Sequence, residues 1–115
     1  MLKFLKRSSA FIFLTCSLVT SSALAGTQMG TITQLLIRTD GLVFFYLTGV
    51  ASGRPACATV TYWMIKAEDS AVGKRMVAAL LASKLSGQTI SVSGNGTCSR
   101  WPDGEDVDLI SLVTL

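Results

Sequence analysis

Cys57 and Cys98 are the two cysteines that remain once residues 1–25 are set aside, and that pair constrains this chain more than any other feature. The third cysteine, Cys16, lies inside a segment built like a secretory signal peptide. Lys3, Lys6 and Arg7 form a basic start, residues 11–19 an apolar core, and Ala23-Leu24-Ala25 the small-residue pattern at which a signal peptidase cuts. The expected product begins at Gly26 and is exported, to the periplasm or out of the cell. In such an oxidising compartment an even number of thiols reads as one structural disulfide. Cys16 is no lipidation site on this reading, because it sits within the apolar core and follows Phe13-Leu14-Thr15, which lacks the required small residue.

Removing 25 of the 115 residues leaves 90, enough for one small domain (residues 26–115) and too few for two. A domain of that size buries only about 60–65% of its unfolded surface, so a covalent staple matters. Linking Cys57 to Cys98 closes a loop of about 42 residues, worth roughly 4 kcal/mol in the loop-entropy account. The leader also takes 3 of the 10 basic residues, leaving 7 against 7 acidic ones. A neutral balance argues against nucleic-acid or anionic-membrane partners, which call for excess Lys and Arg. After the leader no apolar run approaches the roughly 20 residues of a membrane span.

The periodicity reads as β-β-β-α-β-β. Residues 31–38 (TITQLLIR) and 42–47 (LVFFYL) are strand-like, and the Asp40-Gly41 between them signals a tight hairpin. Residues 26–29 read as a flexible lead-in and 49–55 as a loop. Residues 57–65 (CATVTYWMI) read as a third strand, with Thr59, Thr61, Trp63 and Ile65 on one face and Val60, Tyr62 and Met64 on the other. Ser70 is a helix N-cap, with Glu68 and Asp69 placed against the positive end of the dipole. A helix over 71–86 carries Val77, Leu80, Leu81 and Leu85 on one stripe, with Val72 and Met76 beside it, and Gly87 terminates it. Residues 88–93 and 107–113 complete the strands. Five strands with a helix between the third and fourth is the element order of an OB-fold, a small partly open barrel. A two-layer α+β sheet has the same order, and periodicity leaves both open.

Without a single histidine, Ser-His and Cys-His nucleophile pairs and histidine metal sites are excluded. Asp103, Glu105, Asp106 and Asp108 read as a solvated acidic turn beside Pro102 and Gly104. Their spacing matches no EF-hand loop. Gly73-Lys74 lacks the earlier glycine and the following Ser or Thr of a phosphate loop. Asn95-Gly96-Thr97 is a sequon in form, but the short, compact leader has a bacterial look, so Asn95 reads as a turn residue. No residue set calls for a cofactor or a metal, and the chain is expected not to be an enzyme. Trp63, Tyr62, Phe44, Phe45 and Tyr46 read as barrel filling. Trp101, in a loop with Arg100 and Asp103, has two readings: a contact that stacks on a sugar face or anchors a protein partner, or a lid over the barrel end.

Gly30-Thr31-Ile32-Thr33, the aromatic run from Phe44 ending at Gly49, Ala56-Cys57-Ala58 and Ser86-Gly87-Gln88 together resemble the subtilase cytotoxin B subunit-like family of small secreted bacterial proteins. The resemblance implies an OB-fold, secretion, and a ring of five chains that binds glycans. Met29 stands where the family has a serine on sialylated sugar, and Ala82 and Ser83 stand near its helix-end aromatics, so that sugar pocket does not carry over. The expectation is an exported binding or assembly module for a glycan or protein surface, a homo-oligomer (pentamer) on the family pattern, with Arg100, Trp101 and Asp103 as contact residues. The alternative is a non-catalytic periplasmic structural or stress protein without a ligand.

Overall fold

The computed structural model describes residues 24–114. Residues 1–23 of the expected leader, Cys16 among them, lie outside that range. The chain is mainly β with one helix: β1 (Thr27–Gly30), β2 (Ile32–Ile37), β3 (Val43–Leu47), β4 (Trp63–Met64), α1 (Ala71–Ser86), β5 (Ile90–Gly94) and β6 (Glu105–Leu112). They form one six-stranded sheet in the order β1-β5-β6-β4-β3-β2. Pairing is antiparallel except between β4 and β6, which run parallel. The two outermost strands, β1 and β2, are consecutive in the chain with Thr31 alone between them. Cys57 and Cys98 are joined in a disulfide. Among the described residues no helix is long and apolar enough to cross a membrane.

The alternation along β3 sorts its side chains onto two faces. Val43, Phe45 and Leu47 enter the main core with Trp63, Ile65, Leu80, Ile90 and Val92, while Phe44 and Tyr46 turn the other way. The buried indole of Trp63 needs a partner for its N–H, and Nε1 donates to Gln28 Oε1 at 2.8 Å. Gln28 Nε2 in turn donates to the carbonyl of Gly49 at 3.1 Å, so this buried amide is satisfied from both ends.

Four sequence expectations are corrected. Residues 26–29 are not a flexible lead-in, because β1 pairs with β5 from Thr27↔Ser93 to Gly30↔Ile90. The expected strand over 57–65 shrinks to Trp63–Met64. The reason is local: Arg54 Nη1 and Nη2 donate to the carbonyls of Val60 and Tyr62 at 2.8 and 2.7 Å, occupying acceptors that a neighbouring strand would need. The helix has the expected bounds, with Ser70 Oγ accepting from the Gly73 amide and Gly87 in the left-handed region at φ 68°. Its inward stripe, however, is Gly73, Met76, Val77, Leu80 and Ser83, leaving Leu81 and Leu85 exposed. A Cβ at Gly73 would stand 1.9 Å from the Ala67 carbonyl oxygen, so the chain before the helix packs against this missing side chain. Finally, the acidic turn is not solvated throughout: Glu105 and Asp106 are 0% exposed, and only Asp108 lies open.

Candidate binding cleft

The second face of β3 and β4 carries its own apolar cluster. Leu42, Tyr62 and Met64 are buried there, with Phe44, Tyr46 and Val60 packed around them. The rings of Phe44 and Tyr46 lie 5.1 and 5.8 Å from that of Tyr62, at 52° and 81°, the tilted and edge-on arrangements that aromatic quadrupoles favour. Over this floor a cleft of about 250 Å³ opens between the β2–β3 hairpin and the loop before β6. The hairpin contributes Arg38 and Leu42, and the loop contributes Trp101 and Asp103.

Trp101 is 40% exposed, and the Arg38 guanidinium carbon lies 5.4 Å from its ring centre. Arg38 also pairs with Asp40 at 2.8 Å, both half-exposed, a contact weakened by solvent. The Tyr62 hydroxyl donates to Asp103 Oδ1. The cleft therefore presents an aromatic face, a half-exposed cation and a carboxylate–phenol pair around an apolar floor. A ligand with one flat apolar face and hydroxyl or amide groups at its rim matches that mixture.

Buried Asp106 shapes the Trp101 loop. Its carboxylate accepts from Thr97 Oγ1, Ser99 N, Ser99 Oγ and Arg100 N at 2.6–3.1 Å. Burial pushes the pKa of this carboxyl up, but the Ser99, Thr97 and Arg100 donors outweigh it and hold the group below its ordinary value. Asn95 Oδ1 accepts from Thr97 N at 3.1 Å, turning the chain into that knot. On the other side, Arg54 fixes the Tyr62 backbone while its guanidinium carbon stacks 4.3 Å from the Trp63 ring centre. Burial lowers the Arg54 pKa, with Glu105 opposing.

Of the three contact residues expected from sequence, Trp101 and Asp103 line the cleft. Arg100 does not: its Nε lies 3.1 Å from both Glu68 oxygens and its Nη2 also donates to Glu68. Those bonds raise the Arg100 pKa and lower that of Glu68. Sequence reasoning passed over Arg38, Leu42, Phe44, Tyr62 and Met64 by assigning the aromatics to the interior. The signal was present, since Phe44 and Phe45 are adjacent in a strand and must face opposite ways. A larger depression of about 390 Å³ runs along Leu47, Val50 and Ala51, but its one charged side chain, Arg54, is already spent on carbonyls. No protein family, curated protein or solved structure matches this chain.

Proposed function

We propose that this chain is an exported binding module that seats a glycan ring or a protein side chain on Trp101, in the cleft floored by Phe44 and Tyr62. The observation that carries this is a 40% exposed tryptophan held over an aromatic floor by a hydrogen-bonded loop. Sugar faces and protein hot spots both exploit such partly exposed aromatics. A recognition role is favoured over a catalytic one because Glu105 and Asp106 are sequestered by structural donors and Asp103 accepts from Tyr62.

The scaffold is read as a small, partly open OB-like barrel. In support, β1 and β2 belong to opposite edges of the sheet yet are neighbours in sequence, β4 and β6 pair in parallel, and α1 falls between β4 and β5. The cleft then occupies the strand face and flanking loops where barrels of this kind take oligosaccharides and oligonucleotides. Kinship with toxin B subunits, and with it a ring of five copies, belongs to the same proposal and rests on the short motifs noted above. The disulfide is in keeping with export and removal of residues 1–25.

A glycan array probed with the native protein and with Trp101→Ala tests the reading. Binding that disappears in the variant, with the fold intact by circular dichroism, supports it. No hit at high protein concentration overturns sugar recognition, and equal binding by both proteins overturns recognition through this cleft. Arg38 stacked on Trp101 also fits the ligand-free structural alternative, in which the variant lowers the melting temperature and alters no binding. Light scattering decides the ring: about five times the monomer mass supports it, and a monomer rejects it.

A further inference from the structure

We infer that the α-amino group created at Gly26 when the leader is removed is a structural cation, docked on the buried carboxylate of Glu105. The inference rests on cleavage after Ala25 and is independent of what the cleft binds. Hydrolysis adds one water across the Ala25–Gly26 bond. The leader leaves with the new carboxylate, and Gly26 keeps the nitrogen as a protonated amine.

That nitrogen is already in place. Gly26 N lies 2.9 Å from Glu105 Oε2, and the Gly26 carbonyl accepts from Gly94 N at 2.9 Å. Gly26 is buried and Ala25 is exposed, so losing residue 25 leaves the amine one side toward water and the other against Glu105. Position 26 also has no room for another residue: a Cβ there would stand 2.5 Å from Glu105 Oε1 and 2.6 Å from Arg54 Cγ.

The local charge balance gives the amine its role. Glu105 is fully buried, and the guanidinium beside it is that of the largely buried Arg54. Arg54 Nε is 3.6 Å from Glu105 Oε1, and among the described residues neither atom has a hydrogen-bond partner. Glu105 Oε2 otherwise receives the amide of Gly96 at 3.1 Å. A buried carboxylate held this loosely is costly, because the guanidinium beside it spends Nη1 and Nη2 on the carbonyls of Val60 and Tyr62. An ammonium at Gly26 gives Glu105 Oε2 a charge-assisted partner. The charged groups facing the nitrogen are Glu105 from β6 and Arg54 from the loop after β3; Gly94 of β5 and Gly96 of the following turn bring none.

The test uses the full chain, expressed with its leader in a bacterium and recovered from the exported fraction, where intact mass fixes the first residue. The α-amine is titrated by NMR in the native protein and in Glu105→Gln. In the native protein it is expected to titrate at least about one unit, or tenfold in proton affinity, above the ordinary α-amino value near 8, and to return toward that value in the variant. Labelling with an α-amine-selective ester at pH 7 covers the case of a variant that does not fold. The folded native protein should react at least about tenfold more slowly than the same protein unfolded in urea and reductant, the ratio expected from a one-unit shift. A Gly26 start whose amine titrates near 8 or labels at the unfolded rate overturns the docking and leaves the export reading standing. A product starting elsewhere overturns both, and neither result touches the cleft.

Discussion

Asp106 shows how one side chain can decide a loop. Four donors from Thr97, Ser99 and Arg100 converge on its two oxygens, and among the described residues no cation pairs with it. Replacing it by Asn keeps the shape but turns one acceptor into a donor, so at least one buried N–H or O–H loses its partner. The expected cost of Asp106→Asn is about 3 kcal/mol, in the range for hydrogen bonds to a buried charged group, read by urea unfolding. The pH dependence follows from the lowered native pKa. The carboxylate contributes its full stability above the ordinary aspartate value of about 3.9, and that contribution is lost as pH falls through the lower native value. Acid unfolding of the native protein should therefore steepen below about pH 4, and the Asn variant should show a flatter acid limb. An equally steep limb in the variant would assign acid lability to other carboxylates.

Among the elements, the helix offers the sharpest contrast. Leu80 is wholly buried and Leu85 is 88% exposed, although both are leucines that a hydrophobicity stripe would count alike. Leu80→Ala should cost about 3 kcal/mol by the combined loss of transfer energy and the cavity left behind. Leu85→Ala should stay within about 0.5 kcal/mol. Denaturant midpoints of the two variants check this, and equal losses would restore the stripe expected from sequence. Why the stripe was misjudged is instructive. The buried face contains Gly73 and Ser83, which score poorly for hydrophobicity, and Gly73 allows close backbone approach at Ala67. Features set by local chemistry were legible: the Ser70 and Gly87 caps, the Asp40-Gly41 turn and the Asn95 turn all carry their own hydrogen bonds or backbone angles. Features set by distant partners were not. Residues 57–62 have strand composition, but Val60 and Tyr62 give their carbonyls to Arg54, and β1 has little strand composition but gains a ladder from β5. The cleft was half legible for the same reason. Trp101 and Asp103 declare themselves by loop position, whereas Arg38 and Tyr62 reach the cleft only once the hairpin and β4 lie side by side.

For the whole molecule, the disulfide and the Asp106 knot hold the same loop by different means. Cys98 is bonded to Cys57, and the next residue, Ser99, is bonded to Asp106. The covalent link acts mainly on the unfolded chain, whose freedom it restricts, while the knot acts on the folded geometry around Trp101. The two should therefore separate under mutation. Replacing both cysteines by alanine should lower stability by roughly 4 kcal/mol. For a domain of this size that corresponds to a fall of about 20 °C in melting temperature. At 15 °C the surviving folded molecules should keep their ligand affinity within about threefold, because an unfolded-state effect leaves the native cleft unchanged. Asp106→Asn should do the reverse in proportion, weakening binding more than its smaller stability loss suggests. Melting curves paired with binding isotherms at low temperature distinguish the cases. If the cysteine-free protein is folded at 15 °C yet binds tenfold more weakly, the disulfide shapes the native loop directly, and the knot alone does not place Trp101.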